Sequence, residues 1–301
     1  MERTISNFDR LLTDFAQLPQ RRRVAVVCPD DESTKESVLQ ALEYQAVEAL
    51  LVCCHPLDHR FESRRNHMTV FQAADPVEAA AVGVQLIRER KADILMKGLV
   101  GSDVILRAIL NKETGILPSG HVLTHLGVAD IPRYHKLLFY TDAAVMPRPT
   151  QEQRVAQVTY VAEFCRRMGI PQPKISLIHC SEKVDAKNFP YTVGYQDIKE
   201  MARRGSFGPC IVDGPLDLKT SCCRESMEVK GIESAIVGDA DALVFPDIEA
   251  ANLFHKAITL FSDAEIACLL QGTDVPVVLP SRSDSARTKL LSLAIACRVM
   301  A

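Results

Sequence analysis

Apolar residues fall along this chain in two rhythms. Short, nearly continuous runs recur at 24–28, 49–54, 94–96, 137–139, 175–178, 210–212, 242–245 and 277–279. Between many of them lie longer stretches in which apolar side chains return every three or four positions, at 35–47, 77–90, 103–110, 151–168, 195–203, 249–260 and 287–299. A run that is apolar at every position has no solvent face, so it predicts a strand covered on both sides, as in parallel sheets. The slower rhythm predicts helices that each lay one stripe on such a sheet. Their alternation predicts right-handed βαβ crossovers and an α/β fold with helices on both faces. The leading segment, with Ile5, Phe8, Leu11, Leu12 and Phe15, predicts an amphipathic helix packed on that body.

Met146-Pro147-Arg148-Pro149-Thr150 breaks the pattern after a strand-like segment, and Gly272-Thr273-Asp274 breaks it again. These breaks predict one α/β domain from residues 1–146 plus 273–301 and a second, inserted domain from 147–272. Ligands of open α/β sheets bind at the carboxyl ends of strands, and two-domain versions bind in the cleft between.

Composition narrows the class. With 301 residues, 47% hydrophobic and 24% charged, the chain predicts one or two ordered globular domains. A net charge of −3 with only short basic runs such as Arg21-Arg22-Arg23 argues against nucleic acid as a partner. Glu2, Arg3 and Asp9 stand where a signal peptide needs an apolar core. No run approaches the roughly 18 apolar residues of a spanning helix, so a membrane is excluded and a cytoplasmic location is expected. The ten cysteines include two vicinal pairs and no metal-ligand spacing, so they read as free thiols of a reducing compartment, several of them core residues.

Candidate chemistry gathers where predicted strands end. The last run delivers Pro280-Ser281-Arg282-Ser283-Asp284-Ser285 into a helical tail, and a helix start offers unpaired N–H groups and positive potential to an anion. Arg282 adds a planar fork suited to phosphate. The plainer alternative makes Ser283 the helix N-cap, with Asp284 in the first turn. Polar residues also follow four other runs: Lys97-Gly98, Thr141-Asp142, Asp213-Gly214 and Pro246-Asp247. Each has an ordinary reading as cap, turn or solvated side chain. His125 and His135 are possible bases, though an isolated histidine is more often structural. No phosphate loop, dinucleotide fingerprint, zinc motif or G-x-S-x-G elbow is present, so a metal-free site is expected.

Six strings taken together resemble the phosphate acyltransferase family, especially its phosphotransbutyrylase branch. They are KADILMKGLV (91–100), VILRAILNKETGI (104–116), PRYHKLLFYTDAAV (132–145), IVDGPLD (211–217), GDADALVFPDIEAANLFHKAI (238–258) and VPVVLPSRSDSARTKLLSLAIA (275–296). The resemblance implies the isocitrate/isopropylmalate dehydrogenase-like architecture, two α/β domains around a cleft, and a homodimer or higher homo-oligomer. It implies exchange of acyl-CoA and inorganic phosphate for acyl phosphate and CoA, with no bound cofactor and no acyl-enzyme. Carried onto this sequence, Arg282 takes the phosphate and developing charge and Ser281 donates near the thiol. Asp284 is the candidate base, although the acetyl branch carries its aspartate further into the helix. Lys97 and Gly98 are expected at the phosphate or CoA, Asn252 at the cleft through the string Pro246–Asn252, and Thr141 and Asp213 beside substrate. A butyryl donor is expected, with acetyl as the alternative. A metal- and NAD-dependent hydroxyacid dehydrogenase and a non-catalytic acyl-CoA-binding subunit are the competing readings.

Overall fold

The computed structural model describes residues 4–300. It begins with α1 (Phe8–Phe15), β1 (Arg22–Val27), α2 (Glu32–Glu43), β2 (Val47–Cys53), a 3₁₀ segment (His59–His67), β3 (Met68–Gln72), α3 (Pro76–Arg88), β4 (Ile94–Lys97) and α4 (Ser102–Ile109). There follow β5 (Thr124–Asp130), β6 (Leu138–Thr141), α5 (Gln151–Arg167), β7 (Lys174–Ile178), α6 (Tyr191–Arg203), β8 (Ile211–Leu216), α7 (Leu218–Cys222), α8 (Arg224–Val229), β9 (Ala242–Val244) and α9 (Ile248–Phe261). The chain closes with β10 (Glu265–Gln271), β11 (Val277–Val278) and α10 (Ala286–Arg298). The mixed α/β class expected from the two rhythms is what forms.

The chain divides into two compact units. The first holds Phe8–Leu123 and 266–300; the second holds Thr124–Glu265 and residues 4–7. In the first, strands lie in the order β3-β2-β1-β4-β11-β10. All pairs there are parallel except β10 with β11. In the second the order is β5-β6-β9-β7-β8, with only β5 and β6 antiparallel. The division falls earlier than the expected breaks at 146/147 and 272/273, and strand pairing gives the reason. Strand β6 pairs with β9 (Phe139↔Ala242), which draws residues 124–146 into the second unit. Leu270 pairs with Val277, which draws 266–272 into the first.

The runs form strands because their side chains have nowhere else to go. Val24–Val27 of β1 and all four residues of β4 are buried. Three strands escaped the sequence reading. Strand β3 is half exposed, and β5 (THLGVAD) is interrupted by His125 and Gly127 despite being buried. Strand β10, buried at its centre, lies between the predicted helix 249–260 and the break at Gly272 and belongs to none of the predicted runs. Helix starts follow capping chemistry: Asp75 before Pro76 opens α3, and a Thr150–Gln153 capping box opens α5. Helix α1 buries Phe8, Leu11, Leu12 and Phe15 as expected, but Ile5 lies before it, with its N–H on the Met168 carbonyl at 3.2 Å. Among the described residues no helix is long and apolar enough to cross a membrane.

Candidate functional site

In the first unit, three consecutive parallel strands bring their carboxyl ends to one edge. Val27 stands opposite Lys97, and Met96 opposite Val278. The loops after β1, β4 and β11 therefore emerge side by side, and five predicted site residues, Lys97, Gly98, Ser281, Arg282 and Asp284, come together there.

Lys97 ends a fully buried strand and is itself only 2% exposed. Its ammonium donates to the carbonyls of Pro280 (3.2 Å) and Gly98 (3.3 Å). Among the described residues no carboxylate forms an ion pair with it. Burial lowers its pKa below the usual lysine value, and the nearby cations Lys289 and Arg282 add to that, against Asp31 and Asp284. Gly98 allows the turn: its N–H reaches the Val27 carbonyl (2.8 Å), Leu99 N–H reaches the Cys28 carbonyl (2.7 Å), and any Cβ at Gly98 would strike those two carbonyls.

The loop after β11 differs from the predicted helix start. Ser285, not Ser283, is the N-cap of α10, accepting from Thr288 N–H at 3.1 Å. Asp284 therefore precedes the helix instead of occupying its first turn. Its carboxylate accepts from Ser281 N–H (2.8 Å), and its own N–H donates to the Ser281 carbonyl (3.2 Å). This closed turn presents Arg282 and Ser283 to solvent, with the Ser281 and Ser283 hydroxyls 3.1 Å apart.

Two further residues complete this edge, and sequence reasoning missed both. Lys289, on the buried face of α10, donates to Asp31 (2.6 Å) and to Thr34 (2.8 Å). Asp31 is the N-cap of α2 and also accepts from Thr34 N–H and the Ser33 hydroxyl. Burial would raise its pKa, but Lys289, Thr34 and Ser33 prevail and bring it down to about 2. The available signal was a single lysine inside the apolar segment TKLLSLAIA. Three cations and two carboxylates thus meet here, and one cation, Lys97, hydrogen-bonds only to carbonyls among the described residues.

The remaining predicted residues lie in the second unit. Thr141, the last residue of β6, is buried, donates to the His125 carbonyl (2.7 Å) and meets the Thr124 hydroxyl (3.1 Å). The adjoining Asp142, also buried, accepts from the Thr124 hydroxyl, His125 N–H, Ala144 N–H and Val145 N–H. Asn252, on the α9 turn after the Asp247 cap, donates to the Ala143 carbonyl at 2.9 Å. Thr141 and Asn252 therefore flank one loop, 142–145. Asp213 is not brought to it. It lies inside β8 instead of beyond its end, and β8 is three strands from β6, about 14 Å at the usual spacing. Its carboxylate is taken by Lys199 (2.6 Å), the Ser234 hydroxyl (2.6 Å) and Gly214 N–H (2.8 Å). Burial opposes ionisation there, yet these donors hold its pKa below the usual value.

The candidate histidines also have structural settings. His125 is buried and meets His255 edge-on, with ring centroids 6.4 Å apart, while His135 is exposed beside Asp239 at 3.0 Å. Among the described residues no group of three or more His, Cys, Asp or Glu side chains is placed to hold a metal ion.

The family described as "Phosphate acetyl/butaryl transferase" matches residues 23–297 of this chain. Phosphate butyryltransferase of Clostridium beijerinckii is 35% identical over 299 residues, 98% of each chain. Phosphate acetyltransferase of Thermotoga maritima is 30% identical, covering 91% of this chain and 94% of its own. Among solved structures, a branched-chain phosphotransacylase from Enterococcus faecalis superposes with a TM-score of 0.82 at 29% identity, over 92% of this chain and 98% of that one.

Proposed function

This chain belongs to the phosphate acetyl/butyryl transferase family and is an acyltransferase, and from that premise we propose that it exchanges a short acyl group between coenzyme A and inorganic phosphate. The observation that carries the site assignment is Lys97, a buried cation with no carboxylate partner among the described residues, held against the base of the Ser281–Asp284 turn. Such a charge stabilises an anion at the turn more strongly than a solvated lysine does, because little water intervenes.

A phosphate oxygen attacks the thioester carbonyl carbon, the carbonyl oxygen takes up the negative charge, and the tetrahedral species collapses by expelling CoA as thiolate. The products are acyl phosphate and, after protonation, the free thiol; in reverse the thiolate attacks the acyl phosphate. Arg282, exposed on its turn, binds phosphate bidentately and follows the developing charge. Ser281 offers a hydroxyl near the sulfur, and Asp284 sets the turn and stands by as proton acceptor for the thiol. Lys97 and Gly98 shape and charge the loop base from beneath. Thr141 and Asn252 act through the 142–145 loop, and Asp213 serves its own strand. Acyl-CoA and phosphate are thus substrates, and nothing in this scheme calls for a resident cofactor.

Butyryl-CoA is the donor we favour, because relatives named phosphate butyryltransferase reach 33–35% identity over nearly the whole chain. Phosphate acetyltransferases near 30% identity keep acetyl-CoA as the second reading. One methylene in an apolar pocket is worth about 1–3 kcal/mol, so a panel resolves the two. The test is phosphate-dependent release of free thiol from acetyl-, propionyl-, butyryl-, valeryl- and isobutyryl-CoA, by the parent enzyme and Arg282→Ala. Release that needs phosphate and falls in the variant supports the assignment, and its peak names the acyl group. Hydrolysis without phosphate, or full activity in the variant, overturns it.

A further inference from the structure

Beside the phosphate edge of the first unit lies a pair of thiols that the proposed chemistry does not use. Cys28 and Cys54 leave neighbouring parallel strands, just past the last register pair Val27↔Val52, and their sulfurs stand 3.7 Å apart. That is van der Waals contact for two sulfurs. Cys28 is buried, whereas Cys54 is partly exposed. A cavity of about 380 Å³ lined by Pro29, Asp30, Cys53 and Pro56 opens beside them, and the partly exposed Cys54 is the thiol that a small oxidant meets from solvent.

Cys28 is a mechanical junction. Its φ of 52° places a non-glycine residue in the left-handed region, a conformation that surrounding contacts must hold. Its N–H donates to the Val52 carbonyl (2.9 Å), and its carbonyl accepts from Asp30 N–H (2.8 Å) and Leu99 N–H (2.7 Å). One arm leads to Asp31 and Lys289, the other to Gly98 and Lys97. A shift at Cys28 is therefore felt on both sides of the cationic edge.

We propose that Cys28 and Cys54 form a reversible disulfide that switches off the phosphate site, a regulation that rests on the function proposed above. With hydrogen peroxide as oxidant, the Cys54 thiol is converted to a sulfenic acid with release of water. The Cys28 sulfur then attacks the Cys54 sulfur, a second water leaves, and the S–S bond forms. Overall, two thiols are oxidised and one peroxide is reduced to two waters. Bond formation draws the sulfurs from 3.7 Å to about 2.05 Å, a displacement of more than an ångström in total that side-chain rotation and the two loops share. Burial pushes the thiol pKa of Cys28 up, so the switch closes slowly.

The experiment treats the purified full-length chain with hydrogen peroxide, then follows two readouts: peptide mapping for a Cys28–Cys54 linkage lacking two hydrogens, and phosphate-dependent CoA release before and after dithiothreitol. A misplacement of this size near reacting groups is expected to lower turnover on the order of tenfold to a hundredfold, with recovery on reduction. Cys54→Ser and, independently, Cys28→Ala are expected to keep the reduced activity and resist peroxide. Oxidation to separate sulfinic acids without a linkage overturns the proposal, as does a linkage that leaves turnover unchanged. If the reduced parent releases no CoA at all, the proposed function and the switch built on it both fall, whereas the mapping still reports whether the bond forms.

Discussion

Among the described residues neither Lys97 nor Arg154, buried cations one in each unit, has a carboxylate partner, and their surroundings treat them in opposite ways. The guanidinium of Arg154 donates to the carbonyls of Phe245 and Pro246 (3.1 Å each) and of Pro149 (3.5 Å), and lies over the rings of Tyr191 and Tyr195 at 5.6 and 5.4 Å. It fastens the end of β9 to the start of α5 and is fully enclosed. Among the described residues Lys97 has only two hydrogen bonds, at 3.2 and 3.3 Å, both to backbone, and shares its surroundings with two other cations. An ammonium has three donors, so one is not used by these bonds. A buried charge that is closed on every side holds a structure together; one that is left short of partners is available to an anion.

The comparison is broken most directly by removing each charge while keeping most of the side-chain length. Arg154→Met bares three carbonyls and removes two ring contacts, and is expected to lower stability by roughly 3–5 kcal/mol, read by denaturant unfolding. Lys97→Met is expected to melt no lower than the parent, because a poorly compensated buried charge is lost. Its CoA release should nevertheless fall by about a hundredfold to a thousandfold, and phosphate should no longer raise the melting temperature. An unstable Lys97→Met with normal phosphate binding would make Lys97 a second Arg154.

Asp31 sharpens the picture from the anionic side. Its carboxyl sits at about 2 when folded against 3.8 unperturbed, a depressed value. The stabilisation is therefore fully present above 3.8 and is lost as pH falls through about 2, and it amounts to about 2 kcal/mol. Asp31→Asn should be less stable by that amount at neutral pH, with the difference shrinking as the solution is acidified below 3.8. A gap that stays constant with pH would mean that the ion pair with Lys289 is not its source.

What the sequence made legible was whatever is local. Continuous apolar runs marked strands, and the residues ending them, Lys97 and the Ser281-Arg282 turn, lie together at one sheet edge of the first unit. Partnerships across the chain were not legible. Asp31 and Lys289 are 258 positions apart, and nothing near Lys289 hints at a carboxylate. The cap of α10 was misplaced because Ser281, Ser283 and Ser285 are equivalent by composition, and the turn closed by Asp284 selects the last. The unit boundary shifted for the same reason: β6 joins β9 across about a hundred residues, and no local signal reports that pairing.

Asn252 carries the smallest expected effect and the finest distinction. The second unit's strand ends are internally satisfied, and on that pattern the Asn252 amide serves the Ala143 carbonyl and so the shape of the 142–145 loop. Asn252→Ala then removes one partly exposed hydrogen bond, expected to lower stability by about 1 kcal/mol. Any loss of turnover should be shared by all acyl-CoA lengths, because a displaced loop does not read the chain. A side chain that instead touches substrate would leave stability almost unchanged and raise KM for one substrate alone. Unfolding and the acyl-CoA panel, measured on the same variant, therefore decide whether this edge of the second unit resembles the fully partnered setting of Arg154 or the under-partnered one of Lys97.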